Sequence, residues 1–285
     1  MERAEKNRTV GSTLYLVATP IGNLSDISDR AKKVLSEVDF IAAEDTRNTA
    51  RLLCALGIRG ELVSYHEHNK HESGEKIVAR LAMGDSCALV TDAGMPAISD
   101  PGEDLVKLCY KNGISVTVIP GACAAVTALA LSGFSTKRFA FEGFLPVAAG
   151  ERTKRLLAVK DDTRTLIFYE APHKLCKTLD AMASAFGDMR KISLCRELTK
   201  LNEEAKEYTI AEAIEYYAKN EPRGEYVIIV EGASESEADN SMASLPPMEH
   251  VKFYEDSGLS RMDAIKKAAR ERGISKSEMY KLLLD

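Results

Sequence analysis

The stretch CALVTDAGMPAISDPGEDLVKLCYKNGISVTVIPGACAAV, residues 87–126, decides how the chain is read. Residues 87–91 form a short apolar run of strand length, and residues 92–102 are crowded with Gly, Pro, Ser and Asp. Apolar residues at helical spacing follow over 103–112, then a second apolar run over 116–119 and a Pro-Gly turn. Strand, turn, helix, strand, turn is the signature of a parallel sheet, and nearly continuous apolar strands mean that both its faces are covered. The same alternation extends upstream. Strands are predicted at 14–18, 40–43 and 62–65, with helices at 29–38, 46–56 and 75–83. Downstream, a helix is predicted to begin at Gly121 and to run through Ala124, Ala125 and Ala128 to Leu131, with Gly133 as its stop.

A second α/β unit starts near Phe139. Its predicted strands are 165–169, 192–195 and 226–230, its helices 174–186 and 210–218, and residues 203–208 could pair antiparallel. The expected architecture is α/β: an N-terminal domain over 12–135 with a mostly parallel sheet and a C-terminal domain over 136–232 with a mixed sheet. Residues 233–247, rich in Ser, Glu, Asp and Asn and ending in Pro-Pro, read as a linker. The last part, 248–285, reads as a helical tail with helices at 260–272 and 275–284 and a capping box formed by Ser275 and Glu278. It could pack, dimerise or touch RNA.

Composition narrows the function class. The chain has 285 residues, 45% of them apolar, and a net charge of −5, so any nucleic-acid contact must use local basic surface. The six cysteines form no CxxC pair and read as reduced core thiols. The polar N-terminus lacks a signal-peptide apolar region, and a cytoplasmic, soluble protein is expected. GxG, GKS or GKT, HExxH and GxSxG are all missing from the sequence, which removes the usual hydride, phosphoryl and acyl-transfer templates. His66, His68 and His71 gather in one short segment, but with no further ligand at useful spacing they read as a polar loop, and no metal is expected.

What remains are three turn-rich segments, each expected at the carboxyl end of a parallel strand: TPIGNL (19–24), TDAGMPAISDPG (91–102) and PGACAA (120–125). That edge is where open α/β sheets bind ligands, and small residues there let a ligand approach the backbone. Exposed N–H groups at a helix start by Gly121 would suit a carboxylate.

With AEDTR (43–47), EGFLP (142–146), YEAPHK (169–174), RELTK (196–200) and GEYVIIVEG (224–232), these strings occur in an order that resembles one bacterial family. It is the ribosomal-RNA small-subunit methyltransferase I family of the tetrapyrrole-methylase superfamily, and the likeness covers about 14–232. The resemblance implies 2'-O-methylation of a cytidine in 16S rRNA, S-adenosyl-L-methionine held in a cleft between the two domains, and a homodimer. Carried over by motif, Pro20, Asp92, Ala93, Gly94, Ile98, Pro120, Gly121, Ala122 and Cys123 would line the cofactor. Phe144, Leu145, Glu197 and Leu198 would close the site. Ala122 stands where the family pattern leads one to expect a second proline.

A ribose hydroxyl ionises far above neutral pH, so an acceptor for its proton is needed. Candidates are Glu44, Asp45, Glu170 and Glu197, with His173 and Lys200 beside them in the same motifs; structural pairing is the alternative for each. Arg47, Lys174, Arg196 and Lys200 could hold phosphates instead. So could Lys137, Arg138, Arg152, Lys154 and Arg155 in the basic arc over 136–164, which reads as a mobile loop around Gly150. Two other functions remain open: a C-methyltransferase acting on a tetrapyrrole, and a non-catalytic ribosome-binding module.

Overall fold

The computed structural model describes residues 8–234 and 245–283. The chain divides into two compact units. The first runs to Leu131 and recruits Cys195–Ala205 and Gly224–Val227; the second holds Ser132–Leu194, Lys206–Arg223 and the chain from Ile228 onward.

The first unit is built on five strands: β1 (Thr13–Val17), β2 (Phe40–Ala43), β3 (Glu61–Ser64), β4 (Ser86–Val90) and β5 (Ser115–Ile119). They lie in the order β3-β2-β4-β1-β5, and every recorded pair is parallel. β2 and β4 are buried along their whole length, because alternate residues feed two separate cores. Leu14, Phe40, Ala42, Cys87 and Leu89 pack under α3 (Lys70–Ala82) and α4 (Gly102–Lys111) through Ile77, Leu81, Leu105 and Cys109. Tyr15, Val17, Ile41, Ala43, Ala88 and Val90 pack on the opposite face under α1 (Asp29–Glu37) and α2 (Thr46–Ala55). This sequence therefore forms three layers, and the apolar strands are the middle one. The order also makes β4, β1 and β5 neighbours, so the loops leaving their carboxyl ends stand side by side. It is a point where the direction of chain winding changes, the position at which such sheets leave a crevice.

α5 (Ala124–Leu131) follows β5. It starts at Ala124 and not at Gly121, because residues 120–123 leave the strand as an irregular turn before the first helical residue. α3 begins at Lys70, five residues before the expected start, so His71 sits in its first turn while His66 remains in the preceding turn.

The second unit carries β6 (Phe139–Phe144), β7 (Thr165–Glu170), β8 (Lys191–Arg196), β9 (Glu204–Thr209) and β10 (Tyr226–Val230) in the order β6-β7-β10-β8-β9, a mixed sheet as expected. Its helices are α6 (Ala149–Val159), α7 (Leu175–Phe186) and α8 (Ile210–Lys219). α6 corrects the reading of a mobile loop around Gly150: Leu156 and Val159 are buried, and their spacing gives the segment an apolar edge to dock.

Among its described residues the tail has three helices rather than two: α9 (Pro247–Asp256), α10 (Arg261–Glu271) and α11 (Lys276–Leu282). Pro247 opens α9 at a position where a missing N–H costs nothing. Ser275 and Glu278 cap each other's backbone N–H groups in the expected capping box. Val251, Tyr254, Ile265, Ala268 and Met279 give the tail a small core of its own. Most of the expected linker, 235–244, lies outside the described residues.

Among the described residues no helix is long and apolar enough to cross a membrane. All six cysteines are free, and burial pushes the thiols of Cys87 and Cys109 up, the latter to about 11.

Candidate active site

Four loops of the first unit meet at the carboxyl edge of its sheet. Thr19 and Gly94 form an antiparallel bridge, Thr19 N–H donating to Gly94 O at 2.9 Å and Gly94 N–H to Thr19 O at 3.1 Å. The Thr19 hydroxyl also reaches Thr91 O at 3.2 Å. Gly94 has φ +86°, and a Cβ there would stand 3.2 Å from Ile21 Cγ2 and 3.5 Å from Ala122 O. The loops after β1, β4 and β5 thus converge on one glycine.

Gly121 contributes differently from the expectation of an open helix start. A Cβ on it would lie 2.8 Å from Ala18 Cβ, so its bare Cα seats the fifth-strand turn against the end of β1. RELTK completes the group: a Cβ on Gly22 would come within 2.8 Å of Leu198 O and Thr199 Oγ1. Thr19, Gly22 and Thr199 were not among the residues singled out from sequence, although glycine in TPIGNL was the available signal.

The resulting ledge exposes short side chains and backbone. Asp92, Ala93, Pro120 and Gly121 are exposed, while Pro20, Ala122 and Cys123 are half-buried. Ile98 is 45% exposed, an apolar side chain left on the rim. Ala97 and Ser99 adopt left-handed φ of 66° and 67°, an uncommon conformation for residues with a Cβ. Asp100 holds this turn, its Oδ1 accepting from Ala97 N at 3.0 Å and Gly102 N at 2.7 Å. Burial pushes its carboxyl up, against the opposing effect of these N–H donors.

The candidate acids separate by environment. Glu170 is 4% exposed; Thr178 donates to one oxygen at 2.6 Å and the Ala171 amide to the other at 2.9 Å. Asp45 caps α2 and receives Arg47 on both oxygens, at 3.1 and 2.8 Å. The Arg47 guanidinium beside it holds its carboxyl down, to about 2. Glu44 takes the Thr91 hydroxyl on one oxygen at 2.9 Å, and Glu197 takes Lys200 on one oxygen at 2.9 Å. In each, the second oxygen has no donor among the described residues. Glu197 and Thr199 have positive φ, 51° and 66°, and Gly224 packs so closely that a Cβ there would meet Glu197 Oε1 at 2.6 Å.

The basic residues are divided between the two units. Arg47, Arg196 and Lys200 belong to the first unit and are paired with Asp45, Glu204 and Glu197. Lys137, Arg138, Arg152, Lys154, Arg155 and Lys174 belong to the second, as do the exposed Phe144 and the buried Leu145 at the end of β6. His173 and Lys174 lie in a single 3-10 turn before α7. Among the described residues no three of His, Cys, Asp or Glu converge as a metal-binding group; His66 and His68 touch edge to face at 6.0 Å.

Residues 13–214 match the profile of the Tetrapyrrole (Corrin/Porphyrin) Methylases. The chain belongs to that family. It is 47% identical over 99% of its length to the ribosomal RNA small subunit methyltransferase I of Halalkalibacterium halodurans, covering 98% of that protein. It is 48% identical to the Bacillus subtilis protein of the same name, over 94% of this chain and 92% of that one. Among solved structures, a uroporphyrin-III-C-methyltransferase from Thermus thermophilus aligns with TM-score 0.54 at 19% identity, over 77% of this chain and 94% of that one. A diphthine synthase aligns with TM-score 0.61 at 13% identity, over 77% and 90%. The solved structures share the tetrapyrrole-methylase fold; the curated relatives carry the likeness across nearly the whole chain.

Proposed function

We propose that the chain transfers the methyl group of S-adenosyl-L-methionine to the ribose 2'-hydroxyl of a cytidine in small-subunit ribosomal RNA. The supporting observation is the convergence of three short-residue turns on Gly94, joined at Gly22 by RELTK, in a chain 47% identical to a small-subunit rRNA methyltransferase. The turn residues fit such a donor: exposed backbone at 92–93 and 120–121 can approach a flat, polar ligand, and Ile98 offers it an apolar edge. When bound, the cofactor supplies a methyl group on a cationic sulfur.

Pro20, Asp92, Ala93, Gly94, Ile98 and the 120–123 turn would hold and orient it, and carbonyl oxygens, not cations, are the groups that would suit its positive charge. Holding donor and acceptor in line supplies much of the acceleration. The hydroxyl proton goes to a carboxylate. Glu170 and Asp45 already receive donors on both oxygens, which leaves Glu44 and Glu197 as the carboxylates with an oxygen to spare.

The working unit is a homodimer in the cytoplasm. α5 is apolar except at Thr127, and Val126 and Leu131, with Val118 on edge strand β5, remain 53%, 46% and 44% exposed, apolar surface that a second copy would cover. Sedimentation of Val126→Asp should show monomer; a wild-type mass would remove this face from the contact.

Incubation with methyl-labelled cofactor and unmethylated 30S particles, followed by nucleoside digestion, tests the reaction. Label is expected in 2'-O-methylcytidine. Label on a base, or only on a porphyrinoid offered in parallel, would overturn the assignment. Failure to bind cofactor in calorimetry would favour a non-catalytic module.

A further inference from the structure

β6 is the edge strand of the second sheet and has the sequence Phe139-Ala140-Phe141-Glu142-Gly143-Phe144. Aromatic rings on a strand usually turn inward, since each has roughly 150–250 Å² to bury. Here Phe139, Phe141 and Phe144 are 43%, 37% and 58% exposed. Phe139 and Phe141 share a face by the two-residue period of a strand. The register then shifts between Phe141 and Gly143 where β6 pairs with β7. That shift brings Phe144, three residues beyond Phe141, onto the same neighbour. Tyr169 of β7 meets Phe141 at 5.0 Å and 71°, and Phe144 at 5.5 Å and 63°, both edge to face. Three rings therefore make one continuous aromatic patch, with Phe141 and Phe144 exposed and Tyr169 half-buried.

The flanking sequence is cationic. Residues 136–164 hold seven Lys or Arg against four Asp or Glu, in a chain whose net charge is −5. Arg155 of α6 pairs with Glu142, whose side chain is 5% exposed, so the basic helix is anchored to the aromatic strand itself. Lys137 and Arg138 lead directly into Phe139. Lys137 and Lys154 make no ion pair among the described residues, and Arg138 acts on Asp162 without a close pair.

A contact between subunits keeps charge away from its centre. Exposed rings on a strand flanked by Lys137, Arg138 and the basic helix α6 match single-stranded nucleic acid, whose bases stack on aromatic side chains and whose phosphates attract Lys and Arg. We propose that Phe141, Tyr169 and Phe144 form a stacking platform for unpaired bases of the substrate RNA, with Lys137, Arg138 and Lys154 holding the adjoining phosphates. This rests on the reading that the substrate is RNA. It adds that the recognised segment is single-stranded and splayed.

The test uses the full chain and its Phe141→Ala, Phe141→Trp and Lys154→Ala variants. Affinities are measured for a fluorescent pyrimidine-rich RNA 12-mer and for a duplex of the same length, alongside cofactor affinity, solution mass and KM for 30S particles. Phe141→Ala should weaken single-strand binding by about five- to a hundred-fold, raise KM, and leave duplex binding, cofactor affinity and mass unchanged. Phe141→Trp should restore single-strand binding. Lys154→Ala should weaken it less and flatten its dependence on salt. Wild-type single-strand affinity in Phe141→Ala, or a loss that follows a change of mass, would overturn the platform; the second result would make the patch a subunit contact. If the wild type methylates RNA and Phe141→Ala matches it, the platform alone fails. If the wild type transfers no methyl group to RNA, the reading beneath it fails too.

Discussion

Gly94→Ala probes the junction of the three turns with the smallest possible change. Gly94 sits at φ +86°, and an L-residue forced into left-handed backbone costs roughly 1–2 kcal/mol. The unfolded chain loses freedom when glycine becomes alanine, which returns roughly 0.4–1 kcal/mol. The net strain is about 1 kcal/mol before any contact. The new Cβ then meets Ile21 Cγ2 at 3.2 Å, closer than ordinary packing, and Ala122 O at 3.5 Å. The loop must shift, and the Thr19–Gly94 bridge takes the displacement. About 1.4 kcal/mol is a tenfold change in an equilibrium, so cofactor affinity should fall about five- to tenfold. Amide exchange at Thr19 and residue 94 should quicken by a similar factor. Calorimetry and hydrogen exchange read the two effects separately. Ala97→Gly is the control of opposite sign: Ala97 already holds φ +66°, so glycine relieves strain there and exchange should not quicken. Wild-type exchange and wild-type affinity in Gly94→Ala would refute the claim that this glycine joins the turns.

Three further outcomes follow from the same geometry. Asp45 should titrate near 2 by carbon NMR, and Arg47→Ala should return it toward the ordinary aspartate value of 3.8, since the guanidinium is the main cause of the shift; the stabilisation this pairing gives is present above pH 3.8 and lost as pH falls through about 2, so an unmoved titration would contradict it. Glu44→Gln and Glu197→Gln separate the two proton acceptors: the variant that removes the acceptor should lower kcat by about 10²- to 10⁴-fold with cofactor affinity kept, and wild-type kcat in both would exclude them together. His250→Ala should loosen the tail, because the fully buried ring bridges Glu271 at 2.8 Å and Arg272 at 3.1 Å; orphaning such groups costs about 1–3 kcal/mol, and limited proteolysis within 247–282 should accelerate, an unchanged digest counting against the network.

The strands of the first sheet were readable because β2 and β4 are covered on both faces, which leaves an uninterrupted apolar signal in FIAA and SCALV. The turns at their ends were readable for the opposite reason, since Gly, Pro and Asp have few other uses between strand and helix. α6 was hidden because Gly150 and a run of charges obscure a helix that needs only Leu156 and Val159 to dock. The early start of α3 was hidden too: its first buried residue is Gly74, and Ile77 is the first large apolar one. Pro246-Pro247 reads equally as a linker or as the start of a helix, and only the packing of Val251 and Tyr254 decides for the helix.

At the candidate site, the turns and acids stood out in the sequence and their partners did not. AEDTR offered two acids, yet nothing local revealed that Asp45 is a helix cap paired with Arg47 while Glu44 keeps an oxygen available. RELTK and Gly22 are far apart in the chain, and their close approach is a product of the fold. The aromatic patch was split between Phe141 with EGFLP and YEAPHK, where strand register, not spacing, brings Phe144 to Tyr169.

The central claim is tested most directly by a crystal structure of the chain grown with S-adenosyl-L-methionine. The cofactor should lie against the backbone of 92–98 and 120–123, with Thr19 and Gly94 still bridged behind it. Density for the cofactor elsewhere, with those turns bare, would contradict the account.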